Sequence, residues 1–237
     1  NNGQGAPLTP IFHYLLVNKI KGKYQLELPV SILNIGGISN VTQITKFSSV
    51  IEDNFLAVDI GPGNCLIDEW IRNNSKLNFD EGGKIAKSGK IDQLIFNQAI
   101  ENFEIKNYSK SLDIKDFDIN FARGLSLEDG CATITKFTAQ LISDAIKSLN
   151  NQIFSKKYLL CGGGRKNDFL INCITNDLKF ENSDLDKIDE YELNGDYIES
   201  QAFGYLAIRS FLNLPISYKK TTGCDSPTVG GKIVKNF

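Results

Sequence analysis

Three glycine-rich turns, each closing a run of β-forming residues, are the parts of this sequence best suited to chemistry. They are Asn34-Ile35-Gly36-Gly37-Ile38-Ser39-Asn40, Asp59-Ile60-Gly61-Pro62-Gly63-Asn64 and Cys161-Gly162-Gly163-Gly164-Arg165-Lys166-Asn167. Glycine has no side chain, so backbone N–H groups at such turns approach an anion closely, and the last two turns open helices whose N-termini favour phosphate. One such turn alone is more often a plain strand-to-helix connection. Three in one chain predict a cleft for a nucleoside and its phosphates.

Neither common nucleotide signature is present. Gly230-Gly231-Lys232 lacks the upstream glycine and is followed by Ile233, so it is not a phosphate loop of the Walker type. The Gly61 and Gly63 pair meets Leu66, and the Gly162 and Gly164 pair meets Asn167, so no G-x-G-x-x-G is complete and a Rossmann dehydrogenase is disfavoured. His13 is the only histidine, which excludes a multi-histidine zinc site. It follows Phe12 on an apolar segment and reads as a packed or hydrogen-bonded residue, while Trp70 reads as core. Asp59 has two readings, an aspartate that orients a metal-bound water or a turn and cap residue. Glu199 by charge alone is simply favourable near a helix start. Arg165 and Lys166 either meet phosphate or form a solvated helix start.

The elements that must position these residues follow from periodicity. A loop at Gly3 to Leu8 feeds a helix carrying Ile11, Phe12, Leu15 and Leu16. Strands are predicted over Val30 to Ile35, Val41 to Ile44 and Phe55 to Ile60, a meander with tight glycine turns. A helix follows with Leu66, Ile67, Trp70 and Ile71 on one face. Residues 73–125 read as an insertion of short helices and loops, whose Lys84, Lys87 and Lys90 form a solvated face. Ser126 and Asp129 resemble a capping box ahead of a long helix with Ile134, Phe137, Leu141, Ala145 and Leu149 in line. A strand over Tyr158 to Cys161, a helix from Asn167, a strand over Leu178 to Glu181 and a helix over Glu199 to Leu212 complete the order. The fold class is α/β, a mixed sheet with helices on both faces.

The chain has 237 residues, enough to bury a sizeable core, and 26 basic against 28 acidic residues leave a net charge of -2. No field for gathering nucleic acid or an anionic membrane is implied. No apolar run reaches the roughly 20 residues of a membrane-spanning helix. The five cysteines, Cys65, Cys131, Cys161, Cys173 and Cys224, read as reduced core residues of a soluble, cytoplasmic protein. There is no methionine, so the expectation is that residues precede Asn1 in the intact protein.

The segments GQGAPL at Gly3 to Leu8, LNIGGISN at Leu33 to Asn40, DIGPGN at Asp59 to Asn64, CGGGRKN at Cys161 to Asn167 and ESQAFGYLA at Glu199 to Ala207, with Thr222-Gly223, occur in one order over nearly the whole chain. As a set they resemble the anhydro-N-acetylmuramic acid kinases, of the actin, hexokinase and chaperone-ATPase superfamily. The resemblance implies an actin/hexokinase-like C-terminal lobe. It divides the chain into an interlobe substrate turn and helix at 1–29 and a nucleotide-binding lobe at 30–237. It implies ATP contacts at Asn34, Gly36, Gly37, Asn40, Gly61, Gly63, Gly162, Gly163, Gly164 and Asn167, and sugar contacts at Gln4, Gly5 and Glu199. Asp59 and Glu199 are supporting catalytic candidates, with Asp59 reaching Mg²⁺ through water.

The implied reaction passes the γ-phosphate of ATP to O6 of 1,6-anhydro-N-acetylmuramic acid while water opens the anhydro ring, giving N-acetylmuramic acid 6-phosphate. The family's base, an aspartate shortly before the glycine-glutamine-glycine turn, falls before Asn1, so the chain alone is expected to be inactive. Two departures from the family stand out: Lys110 to Phe117 keeps only the beginning of a lysine-serine-threonine-glycine-arginine-glutamate segment, and Asn2 replaces a glycine. The rival expectation is a non-catalytic remnant or interaction module of the same fold. An exposed lobe edge with a contiguous apolar patch would invite association, a homodimer being one form of it.

Overall fold

The computed structural model describes residues 1–103, 111–150, 155–179 and 184–234. Its centre is a five-stranded sheet of order β3-β2-β1-β4-β5, built from β1 (Val30–Ile35), β2 (Ile38–Ile44), β3 (Phe55–Pro62), β4 (Lys157–Cys161) and β5 (Leu185–Lys187). The first three strands are antiparallel to one another, and β4 and β5 run parallel to β1. A central strand covered on both faces must be apolar on both. In β1, Val30 and Ile32 enter one core, while Leu33 and Ile35 enter the other.

The larger core lies under α2 (Cys65–Asn74), α3 (Lys84–Ser88), α4 (Gln93–Glu101), α5 (Leu127–Asn150) and α6 (Asp168–Leu178). Ser126 Oγ accepts from the Asp129 N–H at 3.1 Å, so the long helix starts where its cap is written. Trp70 is buried as expected, and its Nε1 donates to the Leu127 carbonyl at 2.9 Å. Gly130 makes this approach possible, since a Cβ there would lie 2.1 Å from the indole ring.

The second core lies between the sheet and two helices, α1 (Pro10–Ile20) and α7 (Ile198–Phe211), and includes Ile11, Phe12, Leu16, Ile198, Ala202 and Leu206. A single turn of helix, α8 (Lys219–Thr222), closes the chain's last folded part against β3.

Two expectations are corrected. Leu178 ends α6, Lys179 takes a left-handed C-cap, and 180–183 lie outside the described residues. The last strand is Leu185–Lys187, short, polar and partly exposed at the sheet edge, so no apolar run announces it. Leu15 belongs to α1 but faces outward at 37% exposure. Within 73–125, Asn73 and Asn74 end α2 and the described residues after them form α3, α4, short 3₁₀ turns and loops, with α3 and α4 packed on α5.

Candidate functional site

The three glycine turns come together at one end of the sheet. A register irregularity pairs Ser39 with Gly61 and Asn40 with Asp59, leaving Ile60 as an extra residue in β3. Such a bulge re-aims the end of a strand. Here it lays the third-strand turn onto the first: Gly63 N–H donates to the Gly37 carbonyl at 2.8 Å and Asn64 N–H to the Gly36 carbonyl at 2.7 Å. From the other side, Gly162, at φ +77°, closes on β1, where a Cβ would come within 2.5 Å of Asn34 Oδ1 and of the Ile35 carbonyl.

A cleft of about 630 Å³ opens above these turns. Asn34, Gly36 and Asn40 line it with Asp59, Gly162 and Gly163, and Gly5, Thr9, His13, Arg165, Gly195, Asp196 and Glu199 complete the lining. Cross-strand register puts Asn34 opposite Asn40 and Asn40 opposite Asp59, a row of three polar residues over three strands. Directly opposed residues share a face of the sheet, so the row faces the cleft as a unit. Asn40 Oδ1 is buried with no hydrogen-bond partner among the described residues. A buried acceptor left unpaired is costly, and a ligand donor reaching it would relieve that cost.

Asp59 is 8% exposed, and its Oδ2 accepts from the Leu112 N–H at 3.0 Å. Burial pushes its carboxyl above the usual range, and the Leu112 bond opposes that only in part. His13, 1% exposed, shares a 2.8 Å hydrogen bond between Nδ1 and Thr42 Oγ1. Burial lowers its pKa to about 3, so it is a neutral cleft wall.

The family model for anhydro-N-acetylmuramic acid kinase matches residues 1–236. The chain belongs to that family. It is 48% identical over 241 residues to the anhydro-N-acetylmuramic acid kinase of Pelagibacter ubique (strain HTCC1062), covering 100% of this chain and 62% of that protein. The kinase of Zymomonas mobilis subsp. mobilis is 37% identical, with 98% of this chain and 60% of that protein covered. The chain thus spans about three-fifths of the length of these curated relatives. Among solved structures it is similar to the activator of the 2-hydroxyisocaproyl-CoA dehydratase from Clostridium difficile, at TM-score 0.46 and 15% identity over 81% of this chain and 66% of that one. It is likewise similar to a xylulose kinase from Lactobacillus acidophilus, at TM-score 0.42 and 14% identity over 84% and 41% of the two chains. The sheet has three antiparallel strands continued by two parallel ones, with helices packed on both faces.

The Gly3-Gln4-Gly5 turn is fixed by contacts across the chain. Gln4 N–H donates to the Thr222 carbonyl at 2.8 Å, Gln4 Oε1 accepts from the Ser111 N–H, and Ser111 Oγ donates to the Ala6 carbonyl at 3.0 Å. Asn2 sits at φ 56°, in the left-handed region that glycine enters freely and asparagine tolerates. Lys110 lies outside the described residues, whereas Ser111 and Leu112 tie the turn and Asp59 together. A second cleft of about 270 Å³, lined by Gln4, Ser111, Lys219, Thr222 and Gly223, shares Pro7 and Asp59 with the first.

The remaining residues implied by the resemblance sit behind the cleft. Gly37 lends its carbonyl to the Gly63 N–H, and Gly61 packs on Leu141. Gly164 stands where a Cβ would lie 2.2 Å from Ile35 Cγ2. The Asn167 side chain caps α6 by accepting from Leu170 N–H at 3.0 Å. Arg165 is not a solvated helix start: it is 2% exposed and forked onto Asp189 at 2.7 and 3.2 Å, while still bordering the cleft. Asp189, 24 residues away, gave no sequence signal of that pairing.

Proposed function

We propose that this cleft binds ATP and 1,6-anhydro-N-acetylmuramic acid and supports transfer of the γ-phosphoryl group to O6 of the sugar, producing N-acetylmuramic acid 6-phosphate and ADP. Water adds to C1, the C1–O6 bond breaks, O6 takes the phosphoryl group, and the proton of the water passes to a base. In the family that base is an aspartate ahead of the turn that Gly3, Gln4 and Gly5 form here. The reaction then belongs to the protein at the length of its relatives rather than to these residues alone.

The observation that carries the reading is the convergence of Gly36, Gly162 and Gly163 with Asn40, Asp59 and Glu199 on one cleft, in a chain matched over its whole length by the kinase family. Phosphoryl transfer asks a protein mainly for positioning and for neutralisation of charge. The bare Gly36 and Gly163 let phosphate or nucleoside approach the backbone, and Asn40 Oδ1 offers an unpaired acceptor beside them. Gly5 and Glu199 border this cleft and Gln4 the one that adjoins it, and these three are the residues proposed for the sugar.

Among the described residues no group of three or more metal-ligating side chains converges. Mg²⁺ is commonly held by one or two carboxylates together with substrate phosphates and its own waters. Asp59 would hold it through water, its Oδ2 being engaged by Leu112 N–H. When bound, Mg²⁺ would spread the charge of the phosphates.

The test is ATP-dependent phosphorylation of 1,6-anhydro-N-acetylmuramic acid by the product of the whole reading frame and by the 237-residue chain. Activity of the former, with little or none from the latter, is the expected result. No phosphorylation by either sinks the proposal.

A further inference from the structure

Arg165 is a buried cation that no step of the proposed reaction uses, and its four contacts join segments that are far apart in sequence. Nε and Nη2 fork onto Asp189 at 2.7 and 3.2 Å, Nη1 donates to the Gly162 carbonyl at 3.0 Å, and Nη1 also lies 3.1 Å from Asp196 Oδ1. Asp189 accepts in turn from the Gly195 N–H at 3.1 Å. Gly195 lies flat on the guanidinium, since a Cβ there would be 2.2 Å from Arg165 Nε. The guanidinium therefore ties the triple-glycine turn to the 195–196 loop, which leads three residues later to Glu199, and all of these border the cleft together with Arg165 itself.

Only an arginine fits this place. Its planar fork satisfies a carboxylate bidentately while a further N–H reaches a carbonyl, whereas a lysine offers a point charge on a flexible stem. The side chain is 3% exposed while Asp189 and Asp196 are 42% and 50% exposed, so the cation is the buried member and its loss leaves two carboxylates facing each other across the gap. Such a group fixes geometry rather than reacting.

We infer that Arg165 is a positioning residue: through Gly162 on one side and Asp189, Gly195 and Asp196 on the other, it sets the separation between the triple-glycine turn and the start of α7 that carries Glu199. This rests on the reading of the cleft as the nucleotide and sugar site. Small errors in that separation cost catalysis because reactants must be held in near-attack geometry.

The test uses the product of the whole reading frame with Arg165→Met, Arg165→Lys and Gly195→Ala. The last keeps every charge in place and displaces the guanidinium by its methyl group alone, and it decides the matter if Arg165→Met fails to fold. The expected result is a KM for ATP raised roughly ten- to hundredfold in Arg165→Met, a smaller rise in the same direction in Gly195→Ala, and partial restoration by Arg165→Lys. A purely structural role would lower Tm and leave KM in place, so KM within about twofold of the unsubstituted protein in both Arg165→Met and Gly195→Ala overturns the inference. Hydrogen exchange without ligand gives an independent reading. The Gly195 amide, held by Asp189, and the Arg165 and Asn167 amides of the glycine turn should lose protection together, while α5 keeps its own. Unchanged exchange at these amides overturns the tie even where the kinase reading stands. An unsubstituted protein that turns over no ATP sinks that reading instead, and the exchange result still judges the tie.

Discussion

Gly63 lies so close to Gly36 that a Cβ at position 63 would sit 2.2 Å from the Gly36 carbonyl oxygen. Two glycine turns that look independent in the sequence are one stacked structure, joined by the Gly63 and Asn64 N–H groups. The neighbour in the way is backbone, which cannot swing aside as a side-chain tip does.

Gly63→Ala should therefore destabilise the fold by about 1–3 kcal/mol, the range for overpacking at a tight contact. Urea unfolding of the variant checks this. A midpoint equal to that of the unsubstituted protein would show that the two turns are not in contact.

Asp59 couples function to stability in opposite directions. Burial holds its carboxyl above the ordinary range, so the native state keeps the proton to higher pH than the unfolded chain does, and ionising it costs stability as pH rises. Asp59→Asn should lower kcat by about a hundredfold if the carboxylate serves the phosphates. The same variant should melt higher than the unsubstituted protein at pH 7, with the gap closing as pH falls below the ordinary carboxylate range of about 4. Calorimetry across that range, together with the phosphorylation assay, tests both halves; a lower Tm at pH 7 would contradict the burial argument.

His13 makes the reverse prediction. Its pKa falls from 6.5 in the unfolded chain to about 3 in the native cleft. Below pH 6.5 the unfolded state takes up a proton that the native state refuses, so stability drops as pH falls, until about pH 3. The slope approaches about 1.4 kcal/mol per pH unit well below the unfolded pKa. His13→Gln should flatten that part of the stability profile relative to the unsubstituted protein. Equal slopes between pH 6 and pH 4 would mean that His13 is charged when folded.

The parts legible in the sequence are those fixed by local patterns. Val30 to Ile35 reads as a strand because its residues are β-forming and stop at Gly36, and α5 announces itself through Ser126, Asp129 and a long apolar stripe. What was not legible depends on partners far along the chain. The row Asn34, Asn40 and Asp59 exists only through cross-strand register and a bulge at Ile60. Nothing in the residues around Arg165 announces that Asp189 and Gly195 fold against its guanidinium. The edge strand Leu185–Lys187 carries two charged residues in three and has no apolar period to reveal it.

The triple-glycine turn separates fold from function within three residues. At Gly162 and Gly164 a Cβ would collide with β1, within 2.5 Å of the Ile35 carbonyl and 2.2 Å from Ile35 Cγ2 respectively. At Gly163 it would meet only Asn64 Nδ2, at an ordinary 3.5 Å, and the position borders the cleft. Gly163→Leu should accordingly fold with little change in urea midpoint while filling the space next to the backbone that the nucleotide needs. Gly164→Ala should do the opposite in kind, losing about 1–3 kcal/mol of stability by overpacking against Ile35. Titration of ATP into the product of the whole reading frame, alongside urea unfolding, distinguishes them: nucleotide binding should be lost in Gly163→Leu and retained by the folded fraction of Gly164→Ala. Unchanged ATP affinity in Gly163→Leu would remove the glycine turn from the nucleotide site, because no other consequence of a bulky side chain at that open position is expected.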